Sequence, residues 1–147
     1  MSPPLVLVHG LWDSPRLFRR LIQGLDQANR PLLAPHLPHG LGWVPLRQLA
    51  HRLDQHIQER FGPDTSIDLL GFSMGGVIGR IWLQELGGVQ RTRRFFSVGS
   101  PQQGTLAAQL INELRVGEPT FFHQTVVPHS MEIIAVLIPF NPRSVAA

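Results

Sequence analysis

The run LLGFSMGGVIG, from Leu69 to Gly79, constrains the fold more than any other part of the chain. An apolar stretch leads into Gly71, a single serine stands at Ser73 between Gly71 and Gly75, and Val77 and Ile78 open a run with helical spacing. Glycines two before and two after Ser73 permit a turn sharp enough to hold the serine in a strained conformation, its hydroxyl exposed at the carboxyl end of a sheet. Two readings of Ser73 follow: a nucleophile, or a small polar residue in a glycine-rich turn. Catalysis by serine also requires a base, an orienting acid and an oxyanion site, so the rest of the chain has to decide.

The flanking segments repeat the same alternation. Leu5 to Val8 is a short apolar run, continuous in the way of a parallel strand buried on both faces. Ser14 with Pro15 reads as an N-cap and first-turn pair, and Leu17, Phe18, Leu21, Ile22 and Leu25 recur at helical spacing until Asn29 and Pro31. Leu32 to Ala34 predicts a second strand, and PHLPHGLGWVP, Pro35 to Pro45, a loop. Leu46, Leu49, Leu53 and Ile57 mark a second amphipathic helix that ends at Gly62 and Pro63. Ile67 to Leu70 is the third strand; Val77, Ile78, Ile81 and Trp82 form one face of the helix after the turn; Phe95 to Val98 is the fourth strand. Strands alternating with helices predict an α/β fold, a mainly parallel sheet with helices on both faces. Beyond Gly104 the spacing suggests a helix over Leu106 to Leu114 and strands over Thr125 to Val127 and Ile133 to Ile138, with Pro139 and Pro142 in a loose tail.

The chain has 147 residues, of which 43% are hydrophobic, enough for one domain with a core. The expected organisation is a single domain over residues 1–147, with 107–147 as a divergent C-terminal part. No segment approaches the ~20 apolar residues of a membrane span, and MSPPLVLVHG has neither a basic start nor a small-residue cleavage site, so the expected location is the cytoplasm without integral membrane contact. Cysteine is absent, which removes disulfides, thiolate chemistry and sulfur-based zinc sites. The net charge is +3, and the basic residues are all arginines scattered along the chain. The tightest groups, Arg19 with Arg20, and Arg91, Arg93 and Arg94, are not interleaved with stacking aromatics, so no nucleic-acid partner is expected. No metal and no cofactor are expected.

VHGLWDS, Val8 to Ser14, is the second element of interest. Acyl transfer needs backbone N–H groups aimed at a tetrahedral oxyanion, one from the residue after the nucleophile and one from the loop after the first strand; Met74 and Leu11 are the candidate donors. His9 is expected to hydrogen-bond its loop rather than transfer protons.

LVLVHGLWDSPRLF, IDLLGFSMGG and FFSVGSPQQGT together resemble the α/β-hydrolase family, in particular its small bacterial lipase and esterase members. In that family VHG plus an apolar residue supplies the oxyanion loop, GHSMGG the nucleophile elbow, and a Ser/Thr-Pro-His-x-Gly segment follows the next strand. Phe72 and Gln102 stand where histidines are frequent. The resemblance covers Leu5 to about Leu106 and implies a serine hydrolase that forms an acyl-enzyme on Ser73 from a small acyl ester or lipid-like substrate.

The family's order of serine, acid, histidine directs the search for partners downstream of Ser73. The carboxylates there are Glu85, Glu113, Glu118 and Glu132, and the histidines are His123 and His129. Glu85, on the helix behind the elbow, is expected to be a solvated helix charge. His129 is the candidate base, since it ends a candidate strand beside a turn, against the alternative of a surface histidine; Glu118 is the candidate acid. Asp13, His36 and His39 are expected in loops at the same sheet edge, lining a cleft. Two further readings stay open: a non-catalytic remnant that keeps elbow and oxyanion loop without a working triad and binds an acyl ligand or a partner, and an acyltransferase using the same serine.

Overall fold

The computed structural model describes residues 2–26, 29–100 and 132–136. Among the described residues, five strands form one sheet: β1 Leu5–Val8, β2 Leu32–Leu33, β3 Ile67–Phe72, β4 Thr92–Val98 and β5 Glu132–Val136. Their spatial order is β2-β1-β3-β4-β5 and every pairing is parallel. Three α-helices provide crossovers: α1 Arg19–Asp26, α2 Leu46–Phe61 and α3 Met74–Glu85.

Strand β1 explains why helices cover both faces. All four of its residues are buried, and their alternation sends Val6 and Val8 to one core and Leu5 and Leu7 to the other. The larger core packs Leu49, Leu53 and Ile57 of α2 and Ile78, Ile81 and Trp82 of α3 against that first face. Across the sheet, Phe18 with Ile22 and Leu25 covers Leu5 and Leu7. Each fully buried Leu or Ile is worth roughly 1.5–3 kcal/mol of transfer free energy, so the α2 stripe alone holds that helix to the sheet. The helix stops where Gly62, at φ 77°, donates its N–H to the Gln58 carbonyl at 2.8 Å, and Pro63 prevents another turn.

Several boundaries differ from the sequence reading. The first helix opens as a short 3₁₀ helix, Pro15–Phe18, and Ser14 makes no side-chain cap. The Leu17 N–H bonds to the Ser14 carbonyl instead, at 3.0 Å. Leu17 and Leu21 are exposed, because Phe18, Ile22 and Leu25 take the inward stripe one position further on. Strand β4 starts three residues earlier than its apolar run, at Thr92, because its arginines pair at the amino edge of the sheet. Strand β5 corresponds to the last expected strand, shifted towards the amino end. The helix expected over Leu106–Leu114 and the strand expected over Thr125–Val127 lie outside the described residues. Among the described residues no helix is long and apolar enough to cross a membrane.

From β1 the chain winds outward through α1 to β2, then returns through α2 to β3 on the opposite side of β1. The direction of winding reverses between β1 and β3. In an open parallel sheet the crevice outside the carboxyl ends of the strands at such a reversal is where ligands bind.

Candidate functional site

Both motifs singled out in the sequence meet at this reversal. Val8 ends β1 opposite Gly71 of β3, so the loop after β1 and the turn after β3 leave the sheet side by side. Ser73 has φ 52° and ψ −123° and stands at the N-cap of α3. A non-glycine residue in that region costs roughly 1–3 kcal/mol and persists only when its surroundings enforce it. Here the Ser73 N–H donates to the Val98 carbonyl at 2.9 Å, and the Gly76 N–H to the Ser73 carbonyl at 3.0 Å.

The flanking glycines are required by contact. A Cβ on Gly71 would lie 2.4 Å from Gly76 Cα, and one on Gly75 would lie 2.1 Å from the Val8 carbonyl oxygen. Both obstacles are backbone, which cannot step aside as a side chain does. The elbow is therefore pressed against β1, and the oxyanion-loop candidate against the elbow: a Cβ on Gly10 would come within 3.0 Å of Ser73 Cβ.

Met74 is the first residue of α3, and the N–H groups of a helix's first turn have no partner inside the helix. In the loop after β1, the Asp13 N–H closes a turn on the Gly10 carbonyl at 3.3 Å, and the Trp12 N–H goes to His39 Nε2 at 3.0 Å. Leu11 sits between those two anchored positions, half-buried. The loop that carries Leu11 thus approaches, through Gly10, the turn that carries Ser73 and Met74. His129 and Glu118 lie outside the described residues.

His9 is a buried structural histidine. Its Nε2 accepts the Leu37 N–H at 3.1 Å, which leaves the proton on Nδ1, 3.0 Å from the Gly10 carbonyl. Burial holds its pKa below the usual histidine value, and neighbouring His36 and His39 push the same way, against the raising effects of the Gly10 carbonyl and Asp13. His36 stacks on it at 6.0 Å between ring centroids and His39 meets it edge-on at 6.4 Å. Asp13 comes to the same place: its Oδ2 lies 3.5 Å from where a Gly10 Cβ would be. The expectation that Asp13, His36 and His39 share one sheet edge holds. What the sequence reading missed is the direct bond between His39 and the Trp12 backbone; the only hint was the second histidine of PHLPHG. Among the described residues, no group of three or more histidine or carboxylate side chains is arranged to hold a metal ion.

Glu85, expected to be a solvated charge, is exposed and pairs with Arg47 of α2 at 2.9 Å. The residues that follow β5 in this chain, 137–147, contain neither carboxylate nor imidazole.

A family model described as the alpha/beta hydrolase fold matches residues 3–126. Among solved structures, an extracellular α/β-hydrolase from a Paenibacillus species is similar at 16% identity and a TM-score of 0.60, over 76% of this chain and 50% of that one. The mature form of the Bacillus licheniformis lipase BlEst2 is similar at 22% identity and a TM-score of 0.60, over 76% and 46%. A polyneuridine aldehyde esterase mutant is similar at 18% identity and a TM-score of 0.61, over 82% and 49%. The chain spans about half the length of these structures. No curated protein matches it in sequence. With the parallel sheet, the elbow at its winding reversal and the family match over most of its length, the chain belongs to the α/β-hydrolase fold family.

Proposed function

We propose that the protein is a serine hydrolase of carboxylic esters, acting through an acyl-enzyme on Ser73. The observation that carries this reading is the close packing of the loop after β1 on the elbow at the β1/β3 reversal, where a Cβ on Gly10 would come within 3.0 Å of Ser73 Cβ, with Ser73 held at positive φ. That close packing supports an oxyanion role for the backbone of the loop after β1. In the first step Ser73 Oγ bonds to the ester carbonyl carbon while its proton passes to the base, for which His129 is our candidate, oriented by Glu118. The carbonyl oxygen, now negative, is met by the N–H groups of Leu11 and Met74, and the amino end of α3 adds a favourable dipole. The ester C–O bond breaks as the base returns its proton to the departing alcohol. Water then repeats the sequence on the acyl-serine and releases the acid. A small-molecule acyl ester, including lipid-like ones, is the proposed substrate class; the esterase and lipase names of the similar structures agree with it.

A second reading is a hydrolase-like binding protein that keeps the elbow and the loop after β1 without turnover. An acyl acceptor other than water would make the same acyl-enzyme a transferase intermediate. The deciding experiment is covalent labelling with a p-nitrophenyl alkylphosphonate, followed by mass spectrometry, beside hydrolysis of short- and long-chain p-nitrophenyl esters. The hydrolase reading expects label on Ser73, none on Ser73→Ala, and ester turnover that collapses in His129→Ala. Folded protein that takes no label and turns over no ester overturns it in favour of the binding reading.

A further inference from the structure

The mouth of the site is crossed by a bond between residues 27 positions apart: the Trp12 N–H donates to His39 Nε2 at 3.0 Å. Trp12 has φ 60°, a conformation that residues with a Cβ rarely adopt. Its side chain is 75% exposed, so apolar burial does not hold it there. Among the described residues, a second local restraint is the Gly10–Asp13 turn, whose bond is longer at 3.3 Å. His39 is therefore the chief anchor of the Trp12 peptide.

The other ring nitrogen of His39 makes no comparable bond among the described residues. Because Nε2 accepts, the ring proton sits on Nδ1, which is buried without a hydrogen-bond partner among the described residues. The histidine that provides the anchor is itself held, since His9 accepts the N–H of Leu37 two residues before it. Two imidazoles thus rivet the loop after β1 to the loop after β2 in opposite directions.

We infer that His39 is a positioning residue for the oxyanion loop. By fixing the Trp12 peptide it fixes the direction of the preceding Leu11 N–H, the donor aimed at the developing oxyanion. This rests on the reading of Leu11 and Ser73 given above. Two variants test it: His39→Gln, which retains a non-titrating acceptor at a comparable reach, and His39→Leu, replaced by His39→Phe if that chain does not fold. Two readouts are needed, the saturation kinetics of phosphonate labelling at Ser73 and the hydrogen exchange rate of the Trp12 amide.

In the apolar variant the limiting labelling rate falls about tenfold or more, as for a misdirected oxyanion donor, while the reagent concentration at half-saturation stays within about twofold. Its Trp12 amide exchanges about tenfold faster, as expected for a lost hydrogen bond. The glutamine variant keeps both readouts near wild type. Wild-type labelling rates in the apolar variant overturn the inference, as does a glutamine variant as slow as the apolar one. If the wild-type protein takes no label, the hydrolase reading fails by itself; the anchor is then judged by exchange alone, and an unchanged Trp12 amide in the apolar variant overturns it.

Discussion

At the scale of single residues, the site depends on atoms that are missing as much as on those present. Gly75 has no Cβ because that atom would overlap the Val8 carbonyl, at 2.1 Å. Gly75→Ala is expected to cost at least 1–3 kcal/mol, the usual range for overpacking, since neither α3 nor β1 can retreat without opening the sheet. Urea unfolding measures it, and phosphonate labelling of whatever folds should fall with it, because the elbow moves away from the loop after β1. His9 supplies a second residue-scale prediction. Its folded pKa lies below the unfolded value, so below about pH 6.5 the unfolded chain binds a proton that the folded chain refuses. Its contribution to stability is complete above that pH and is lost as pH falls towards the lowered folded value. His9→Gln, which keeps an acceptor for Leu37 without titrating, is expected to flatten that part of the pH dependence. Urea midpoints of both proteins between pH 7.5 and pH 5 test this; equal slopes would remove His9 from the account.

At the scale of elements, the amino edge of the sheet is tied by charge and the carboxyl edge is left for chemistry. Asp68, near the start of β3, is 1% exposed and takes Arg30 at 2.5 Å and Arg93 at 3.1 Å. The Asp68 N–H also reaches back to the Pro4 carbonyl at 2.8 Å, so one residue joins β3, β4 and the chain before β1 and β2. Removing the carboxylate leaves Arg30, which is largely buried, without its ion. Asp68→Asn is therefore expected to cost about 3 kcal/mol, whereas Arg93→Met, on the half-exposed side, should cost less than about 1 kcal/mol. Denaturant titration of the two variants distinguishes them; equal losses would mean that the network acts as one unit. On the helical layer, Trp82 Nε1 donates to Asp54 Oδ1 at 2.9 Å, which sets α3 against α2 and thereby the helix whose amino end faces Ser73. Trp82→Phe is expected to cost more than the about 1 kcal/mol of that bond, because indole volume is lost from the larger core as well.

For the whole molecule, the winding reversal separates two ends with different work. Phosphonylation of Ser73 is expected to slow hydrogen exchange in residues 9–13, 37–39 and 73–76 and to leave the Asp68 end near Pro4 and Arg91 unchanged. Mass-spectrometric exchange on labelled and unlabelled protein reads this directly. Protection spread evenly over the sheet would indicate global stabilisation instead of a ligand site at the β1/β3 crevice.

Much of the fold was legible because its signals are local. Four apolar β-type runs, helical periodicity between them and glycines flanking Ser73 imply the strands, the crossovers and the elbow whatever the neighbours, since chain sterics and period-dependent burial operate within a few residues. Residues 5–8 read as doubly buried and are so. Less legible were the ends of elements: Ser14 carried the expected cap chemistry but left its side chain unused, as Pro15 started a tighter 3₁₀ helix. The arginines near the start of β4 had no apolar pattern to announce them, and the buried Asp68 holds Arg93 there.

What the sequence by itself determined is the order of strand and helix, the strained turn at Ser73 and the nomination of Leu11 and Met74, because each follows from residues within a few positions of one another. What only the tertiary structure decided is where those pieces stand: β1 beside β3, Gly10 against Ser73, and His39 on the backbone of Trp12. These are contacts across tens of residues. They depend on the direction in which the chain winds around β1, and no local propensity encodes that choice.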